Sequence, residues 1–457
     1  MKRSRCASTA MAVAMFGLTQ ALATGTAVAG GFSLSVESGA AAVGNAQAGS
    51  AALGEDASTV FFNPAGLTRL KGSQLSMVAS AVGPSAHFSN SRSHPSTSAI
   101  SSIPLTGGDG GDAGSWAMVP AGYYATDVTS RLKFGVGFNA PFGLKTEYND
   151  DWVGRYHAIK SELMTIRMTP ALALKVDDRL SLGVGFIAEW ARAELTKAID
   201  FGAACFGSAF GPAACTAAGI SPQTKDGRAK LEGEDWGFGY SLGVLYQVMP
   251  STRLGLNYRS KITHVISGTA TYYNKPDLPG PFAALTSTPA TTNNAAKASV
   301  TLPETLSISS VTQISPKWSL LSDIMWTNWS RFDELRVRFS NGAPDSVTKE
   351  NWRDTVRLAL AANYQATDAW KLRVGWAYDP TPVKDKFRTP RIPDEDRVWL
   401  SFGTNVKISA AGSLDFAYAH LFVKDASIKD TVSGAGTLRG SYNNDVNVIT
   451  AQLNYRF

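Results

Sequence analysis

Polar and apolar residues alternate along most of this sequence. Over residues 353–364 one register is polar or small and the other is apolar, and the last segment up to Phe457 repeats the pattern. A period of two predicts β-strands with one polar and one apolar face. The apolar registers of these two segments consist of Val356, Leu358, Leu360, Ala362 and Tyr364, and of Ile449, Ala451, Leu453, Tyr455 and Phe457.

Fourteen segments of this kind can be placed along the chain, and short turns alternate with long connections between them. An even number of antiparallel strands with this asymmetry is typical of an outer-membrane β-barrel, whose apolar register faces lipid and whose polar register faces the lumen. A soluble β-sandwich would show the same alternation with its apolar face turned inward. The predicted strands lie at 74–88, 116–125, 132–147, 163–176, 180–196, 229–248, 253–272, 298–314, 318–339, 352–364, 370–378, 397–408, 414–424 and 446–457.

The beginning of the chain has the features of an export signal. A basic start precedes a mostly apolar stretch over residues 7–22, and an A-x-A cleavage motif occupies residues 27–29. These features predict a signal peptide over residues 1–29 and a mature chain from Gly30, with an uncleaved signal anchor as the alternative. No run of 18 apolar residues follows Gly30, so no transmembrane helix is expected. Export and the loop pattern together favour the barrel over the sandwich.

Composition narrows the choice of function. Charged residues make up 18% of the chain, below the roughly 25% of soluble domains. No basic stripe suggests nucleic acid, so no nucleic-acid partner is expected. The five histidines lack metal-ligand spacing, and no set of catalytic residues is recognised. We therefore expect no cofactor, no metal and no enzyme activity.

Residues 30–70 differ from the rest of the chain, because they are rich in Ala, Gly and Ser and lack a clean strand period. Asn63-Pro64 resembles an N-cap followed by proline at the first helical position. A weakly structured segment that precedes a barrel has to be accommodated, and the lumen of the barrel offers the space. The sequence therefore predicts a hatch, or plug, over residues 30–70 and a barrel over residues 71–457.

Two local features within the predicted barrel stand out. Cys205 and Cys215 lie in a Gly/Ala-rich segment, and an exported chain meets an oxidising compartment, so a loop disulfide is predicted, with two free thiols as the alternative. Pro141-Phe142-Gly143 interrupts a strong strand, because proline donates no ladder hydrogen bond and glycine weakens pairing. An unpaired backbone group is tolerated in a membrane where it lines a cavity. We interpret the break as an opening in the wall; a harmless bulge is the alternative.

Five segments, in order, carry a resemblance to a known family. They are Gly31-Phe32-Ser33-Leu34, residues 55–65 with Asn63-Pro64-Ala65, residues 139–149, residues 231–239 with 258–260, and residues 392–397 with 399–401. Together they resemble the FadL/TodX (OMPP1) family of outer-membrane transporters for long-chain fatty acids and aromatic hydrocarbons. The resemblance implies an all-β, 14-stranded antiparallel transmembrane barrel with a small N-terminal hatch. It also implies that ligand is captured outside, passes to a pocket near the hatch and leaves sideways through a kinked third strand.

The resemblance also implies ligand-binding residues. Phe32 corresponds to an aromatic residue that reaches the inner pocket, with a disordered terminal residue as the alternative. Arg192 and Arg353 correspond to basic positions near the ligand headgroup, where a guanidinium suits a carboxylate. The alternative for both is a lumen arginine paired with a carboxylate such as Glu194 or Asp354.

The predicted function is passive uptake of long-chain fatty acids across the outer membrane. Uptake of aromatic or other hydrocarbons by the same fold is the close alternative, and a general porin or an outer-membrane enzyme is less favoured. The predicted partners are a small hydrophobic ligand, outer-membrane lipid and the barrel-assembly machinery, the last through the C-terminal strand that ends in Phe457.

Overall fold

The computed structural model describes residues 31–34, 36–95 and 103–457. The predicted signal peptide and the predicted mature start at Gly30 lie outside these residues. In the described part of the chain, no helix is long and apolar enough to cross a membrane.

A single antiparallel sheet forms the body of the molecule and closes on itself. The first strand pairs with the last along its whole length, from Gln74 opposite Arg456 to Asn90 opposite Gly440. The strands are β1 (Gln74–Asn90), β2 (Ala117–Asp127), β3 (Leu132–Asn139), β4 (Gly143–Glu147), β5 (Lys160–Lys175), β6 (Leu180–Asp200), β7 (Asp226–Met249), β8 (Thr252–Arg259), β9 (Ile262–Tyr273), β10 (Asn294–Leu302), β11 (Thr305–Gln313), β12 (Trp318–Thr327), β13 (Glu334–Phe339), β14 (Ser346–Lys349), β15 (Thr355–Gln365), β16 (Trp370–Asp379), β17 (Arg397–Lys407), β18 (Gly412–Val423), β19 (Ala426–Val432) and β20 (Gly436–Arg456).

Six barrel strands are interrupted, so that these twenty segments make fourteen strands. The interrupted strands are β3 with β4, β8 with β9, β10 with β11, β12 with β13, β14 with β15, and β18 with β19. The prediction of a fourteen-stranded antiparallel barrel is confirmed, and each predicted segment overlaps one of these strands. We call the end with the short turns, such as residues 177–179, the lower end, and the end with the long connections the upper end.

The two faces of the wall follow the alternation in the sequence. In β15, Leu358 and Leu360 are 44% and 58% exposed on the outer face, whereas Arg357 is buried on the inner face. In β20, Ile449 is exposed and Thr450 is buried. An apolar exterior around a polar interior is the arrangement of a membrane barrel, the reverse of a sandwich.

The N-terminal segment, residues 31–34 and 36–70, packs against the inner face of strands from around the wall. Its helices are α1 (Ala40–Gly44), α2 (Ser50–Leu53) and α3 (Thr59–Phe62), with 3-10 turns at Val36–Ser38 and Pro64–Arg69. Small side chains allow this fit on both partners. A Cβ added to Gly255 would lie 2.0 Å from the Ala51 carbonyl oxygen, and one added to Gly375 would lie 2.3 Å from the Asn45 carbonyl carbon.

The long connections at the upper end carry the remaining helices. Helices α4 (Phe201–Phe206) and α5 (Gly211–Ala217) follow β6, and a disulfide joins Cys205 to Cys215 between them. Both cysteines lie in a small apolar cluster with Phe201, Ile220 and Leu278. Further 3-10 turns lie at Gly280–Thr286, Pro289–Thr291, Trp329–Arg331 and Asp385–Phe387.

Gly255→Ala should loosen the N-terminal segment, because its new methyl group overlaps the backbone of α2. Overpacking of this kind costs about 1–3 kcal/mol. We expect faster hydrogen exchange at residues 40–67 in the detergent-solubilised protein. Gly122→Ala is the matched control, since a Cβ there meets no atom within 4 Å. Equal exchange in the two variants would contradict the close packing.

Candidate functional site

The wall of the barrel is interrupted at the predicted break. Strand β3 pairs with β2 and β5, but β4 pairs with β5 alone among the described residues, and residues 117–121 of β2 pair only with β1. The ladder is therefore interrupted between β2 and β4, and at the upper end of β4 the Glu147 N–H donates to the Ala113 carbonyl at 3.0 Å. Thr165 satisfies part of the freed backbone, since its hydroxyl accepts from the Phe142 N–H at 3.1 Å and donates to the Phe142 carbonyl at 2.9 Å.

The first residues of the N-terminal segment bind the break from inside. The Leu34 N–H donates to the Pro141 carbonyl at 2.7 Å, and the Gly143 N–H donates to the Phe32 carbonyl at 2.9 Å. Ser33 thereby stands opposite Phe142 in a short antiparallel bridge. A Cβ on Gly143 would come within 2.6 Å of the Leu34 side chain, so a glycine permits this close approach.

Phe32 lies at the centre of a buried group that we call the inner aromatic cluster. Its ring is 4.9 Å from Trp329, 5.6 Å from Trp352, and 6.0 Å from both Phe142 and Phe332, centroid to centroid. Several pairs meet edge to face, an arrangement that aromatic quadrupoles favour. Aliphatic residues complete the cluster: Leu144, Leu163, Ile266, Val300, Leu302, Val383 and Ile392.

The structure does not bring the two predicted arginines to Phe32. Arg192 lies on the outer register of β6, half exposed, with Glu232 at 3.7 Å. Arg353 is also half exposed and donates to the Thr381 carbonyl at 3.1 Å. Strand β15 begins at Thr355, so the alternation that placed Arg353 in the lumen does not extend to it. Trp352, its neighbour, points inward instead.

A large groove opens at the upper end, and we call it the upper groove. It has a volume of about 670 Å³. Leu195, Leu231, Leu335, Val337, Phe387, Pro390 and Val432 supply apolar lining, and Lys197, Lys349, Lys386, Lys429 and Arg391 supply cationic lining. Leu335 also packs against the inner aromatic cluster, so the two sites adjoin.

The charge of the upper groove is strongly unbalanced. Asp430 is the one carboxylate in its lining, and His157 binds it at 2.8 Å. Arg391 is held in place by donating to the Ser161 hydroxyl and the His157 carbonyl. None of the four lysines forms an ion pair within the described residues. Sequence inspection missed this groove, because its residues come from segments far apart in the chain.

Asn63, Pro64 and Ala65 attach the N-terminal segment to the wall. The Asn63 side-chain amide donates to the Ala51 carbonyl at 2.6 Å and to the Val244 carbonyl at 3.0 Å, and its oxygen accepts from the Ala65 N–H. The asparagine thus caps the following 3-10 turn and bridges two other elements. Pro64 suits the first position of that turn because it has no N–H to satisfy.

Buried charges line the lumen below the inner aromatic cluster. Arg357 donates to the Ala46 carbonyl and the Gln47 side chain, and its guanidinium lies 5.0 Å from the Trp399 ring. Glu37 lies nearby, and no other residue among those described forms a hydrogen bond with either of its carboxyl oxygens. The pKa of Glu37 is raised to about 7, mainly because its carboxyl is buried.

Residues 239–243 match the G-x-S-x-G pattern of a nucleophile elbow. An elbow requires a sharp turn from strand to helix that exposes the serine. Ser241 instead lies within the continuous strand β7 and is buried on its inner face. The match therefore has the wrong structural context for a nucleophile.

Comparisons with known proteins agree with this architecture. A family model described as outer membrane protein transport protein (OMPP1/FadL/TodX) matches residues 20–457. An outer membrane protein of Neisseria meningitidis serogroup B is 32% identical over 96% of this chain and 97% of the relative. The long-chain fatty acid transport protein of Escherichia coli K12 is 29% identical over 90% of this chain and 92% of the relative.

Two solved structures share the fold. A FadL homologue of Pseudomonas aeruginosa has a TM-score of 0.80 at 24% identity, over 95% of this chain and 100% of that one. The Ralstonia pickettii toluene transporter TbuX has a TM-score of 0.60 at 21% identity, over 91% and 98%. The fold is that of an integral outer-membrane β-barrel whose lumen holds an N-terminal segment. The chain belongs to the OMPP1/FadL/TodX family of outer-membrane transport proteins.

The raised pKa of Glu37 predicts pH-dependent docking of the N-terminal segment. The Glu37 carboxyl contributes fully to the stability of the docked segment below its ordinary pKa of 4.5. This contribution is lost as pH rises toward about 7, because only the docked state resists ionisation of the carboxyl. The loss amounts to about 3 kcal/mol. The backbone N–H of Glu37 itself opposes the pKa rise most, followed by Arg357 and Arg397, and Asp379 adds to it.

Glu37→Gln should abolish this dependence. Hydrogen-exchange protection factors for residues 40–62 should match those of the parent at pH 4 and exceed them at pH 8. Parent and variant are compared at the same pH, which removes the intrinsic pH dependence of exchange. Identical protection at pH 8 would show that Glu37 ionises without cost.

Proposed function

We propose that this protein takes up long-chain fatty acids, or amphiphiles of the same build, by passive passage across the outer membrane. The observation that carries the proposal is the upper groove, where apolar lining is combined with lysines that lack carboxylate partners. An aliphatic chain would bury against the apolar side chains, and the carboxylate would lie among the cations. The similarity to the long-chain fatty acid transport protein of Escherichia coli supports the assignment.

The proposed path runs from the upper groove through the inner aromatic cluster to the opening beside β4. Leu335 joins the first two sites, and Phe142 joins the cluster to the break. Phe32 is the proposed pocket residue, because it lies where the path turns toward the wall. Arg192 and Arg353 lie outside this path, so the groove lysines replace them as the proposed contacts for the headgroup.

The N-terminal segment is proposed to act as a hatch. It fills the lumen, and its residues 32–34 cover the break from inside, so displacement of this stretch would expose a way into the bilayer. Lateral exit suits a hydrophobic cargo, which would otherwise meet water below. Partition into lipid and later consumption would supply the driving force. We also propose that the barrel-assembly machinery recognises the C-terminal strand that ends in Phe457. The proposed function includes no catalytic step.

Uptake of aromatic hydrocarbons is the second candidate. The inner aromatic cluster favours it, because its rings would accommodate a neutral aromatic ligand edge to face. The fold is shared with the toluene transporter TbuX. This is compatible with hydrocarbon uptake and does not distinguish the two candidates. The two candidate functions differ in whether uptake depends on the lysines of the upper groove.

Replacing three groove lysines, in Lys197→Gln/Lys349→Gln/Lys429→Gln, should slow oleate uptake by about tenfold, because the attraction of the carboxylate is removed. Uptake of radiolabelled oleate and of toluene would be measured in cells whose own fatty acid transporter is deleted. Toluene uptake should not change.

The matched control, Lys225→Gln/Lys384→Gln/Lys424→Gln, removes the same charge from the upper end outside the groove. Oleate uptake that is insensitive to the groove substitutions would exclude this capture site. A parent that carries toluene and not oleate would establish the second candidate instead.

Locking the N-terminal stretch to the break should stop transport. In Ser33→Cys/Phe142→Cys the two cysteines face each other across a non-hydrogen-bonded antiparallel pair, where Cα atoms are about 4.5 Å apart and a disulfide can form. Oleate uptake should fall to background when the bond forms and recover on reduction to the level of Phe142→Cys.

The single variant Phe142→Cys, with and without reductant, controls for the lost ring and for reduction of the native disulfide. Full uptake through the locked protein would disprove lateral exit at this break.

A further inference from the structure

Another interruption of the wall lies between β10 and β13. These strands pair over three positions, with Ala298 opposite Val337 at the end, and pairing resumes with Thr305 of β11 opposite Thr327 of β12. Between these points one side has residues 299–304 and the other has the longer stretch 328–336. Within the described residues, the end of β10 beyond Ala298 pairs with β9 alone. The wall therefore carries a pocket on its outer face here.

We call this pocket the wall groove, and its volume is about 530 Å³. Val265, Ala298, Phe332 and Phe339 supply its apolar lining. Phe332 also belongs to the inner aromatic cluster, so it separates the outside of the wall from the ligand path. The polar and charged lining consists of Lys297, Ser299, Thr301, Arg331, Asp333, Glu334, Arg336, Arg338 and Ser340.

The wall groove lies at the height where the outer surface changes from apolar to charged. Below it, the outward side chains of β11 and β12 include Ile308, Leu320 and Ile324, all exposed. At its upper edge, the outward positions carry Lys297 and Arg338. A change of this kind marks the boundary between the hydrocarbon region and the headgroups.

Two cations face each other at the mouth of the wall groove. Lys297 stands directly opposite Arg338 in the pairing of β10 with β13. Like charges directly opposite each other across a strand pair are destabilising. Lys297 forms no ion pair with any described residue, and Arg338, 75% exposed, reaches Asp345 only at 3.9 Å. The same Asp345 binds Arg336 more closely, at 2.9 Å, and Glu334 binds Arg336 at 2.7 Å.

We propose that the wall groove binds a phosphorylated lipid of the outer leaflet, with a headgroup phosphate between Lys297 and Arg338 and an acyl chain along Val265 and Phe332. A phosphate relieves the repulsion of the two cations and accepts charge-assisted hydrogen bonds from both. The apolar lining takes the chain that emerges beneath the headgroup. The site is distinct from the upper groove, because it opens through the outer face of the wall.

Native mass spectrometry of the full chain in detergent, with bisphosphorylated lipid A as the probe, tests the proposal. Binding to Lys297→Gln/Arg338→Gln should be about thirtyfold weaker than to the parent, since each cation beside an anionic lipid surface is worth about 1 kcal/mol. Lipid A without its phosphates should bind parent and variant equally. Lys160→Gln/Lys230→Gln, which removes the same charge from the outer face of β5 and β7, should bind the probe as the parent does.

Equal binding of the probe by the parent and Lys297→Gln/Arg338→Gln would overturn the proposal, as would an equal loss in the control. Displacement of the lipid by millimolar inorganic phosphate would show a site for the free anion and would overturn the lipid assignment. Heat-modifiable gel mobility establishes that each variant is a folded barrel. Oleate uptake need not change in any of them, so the result is independent of the proposed transport function.

Discussion

Backbone hydrogen bonding is the constraint on which this structure depends. A strand in lipid has no water to satisfy an unpaired N–H or C=O group, so the wall must either pair these groups or give them another partner. Closure of β1 on β20 removes both sheet edges at once. Where the pairing fails beside β4, Thr165 and the first residues of the N-terminal segment provide partners. A gap in the pairing of the wall is therefore tolerated only where groups inside the barrel provide partners for the freed backbone.

This constraint also explains why the lumen is filled as it is. The inner register is polar, and polar groups buried without partners are costly, so the N-terminal segment supplies carbonyls to side chains such as Arg357 and Arg253. Small residues allow its backbone to come close enough to do so. Wall glycines such as Gly255 and Gly375 serve the same purpose from the other side. The segment and the wall complement each other in hydrogen bonding as well as in shape.

The sequence predicted those features that depend on local pattern. Alternation over residues 353–364 gave the two faces of β15 correctly, because in a strand the register alone decides which way a side chain points. The same reasoning failed at Arg353, which precedes the start of the strand. The break at Pro141 was recognisable because proline and glycine act on their own backbone. The upper groove and the partners of Phe32 were not recognisable, since Leu195 approaches Pro390, and Trp329 approaches Phe32, only after the barrel has closed.

The closing contact at the break is specific but small. Two backbone hydrogen bonds are worth about 1 kcal/mol each in net terms, and the packing of Phe32 adds the main attraction. Glu37, three residues beyond Leu34, opposes docking near neutral pH because its carboxyl is buried and no other described residue forms a hydrogen bond with it. In the proposed transport, a ligand in the inner aromatic cluster would compete for the surfaces that hold Phe32 in place. The ligand can shift the equilibrium between the docked and the undocked segment only by as much as it binds the undocked state more tightly. In the proposed transport, a marginal closing contact would allow a weakly bound hydrophobic ligand to displace it without an energy source.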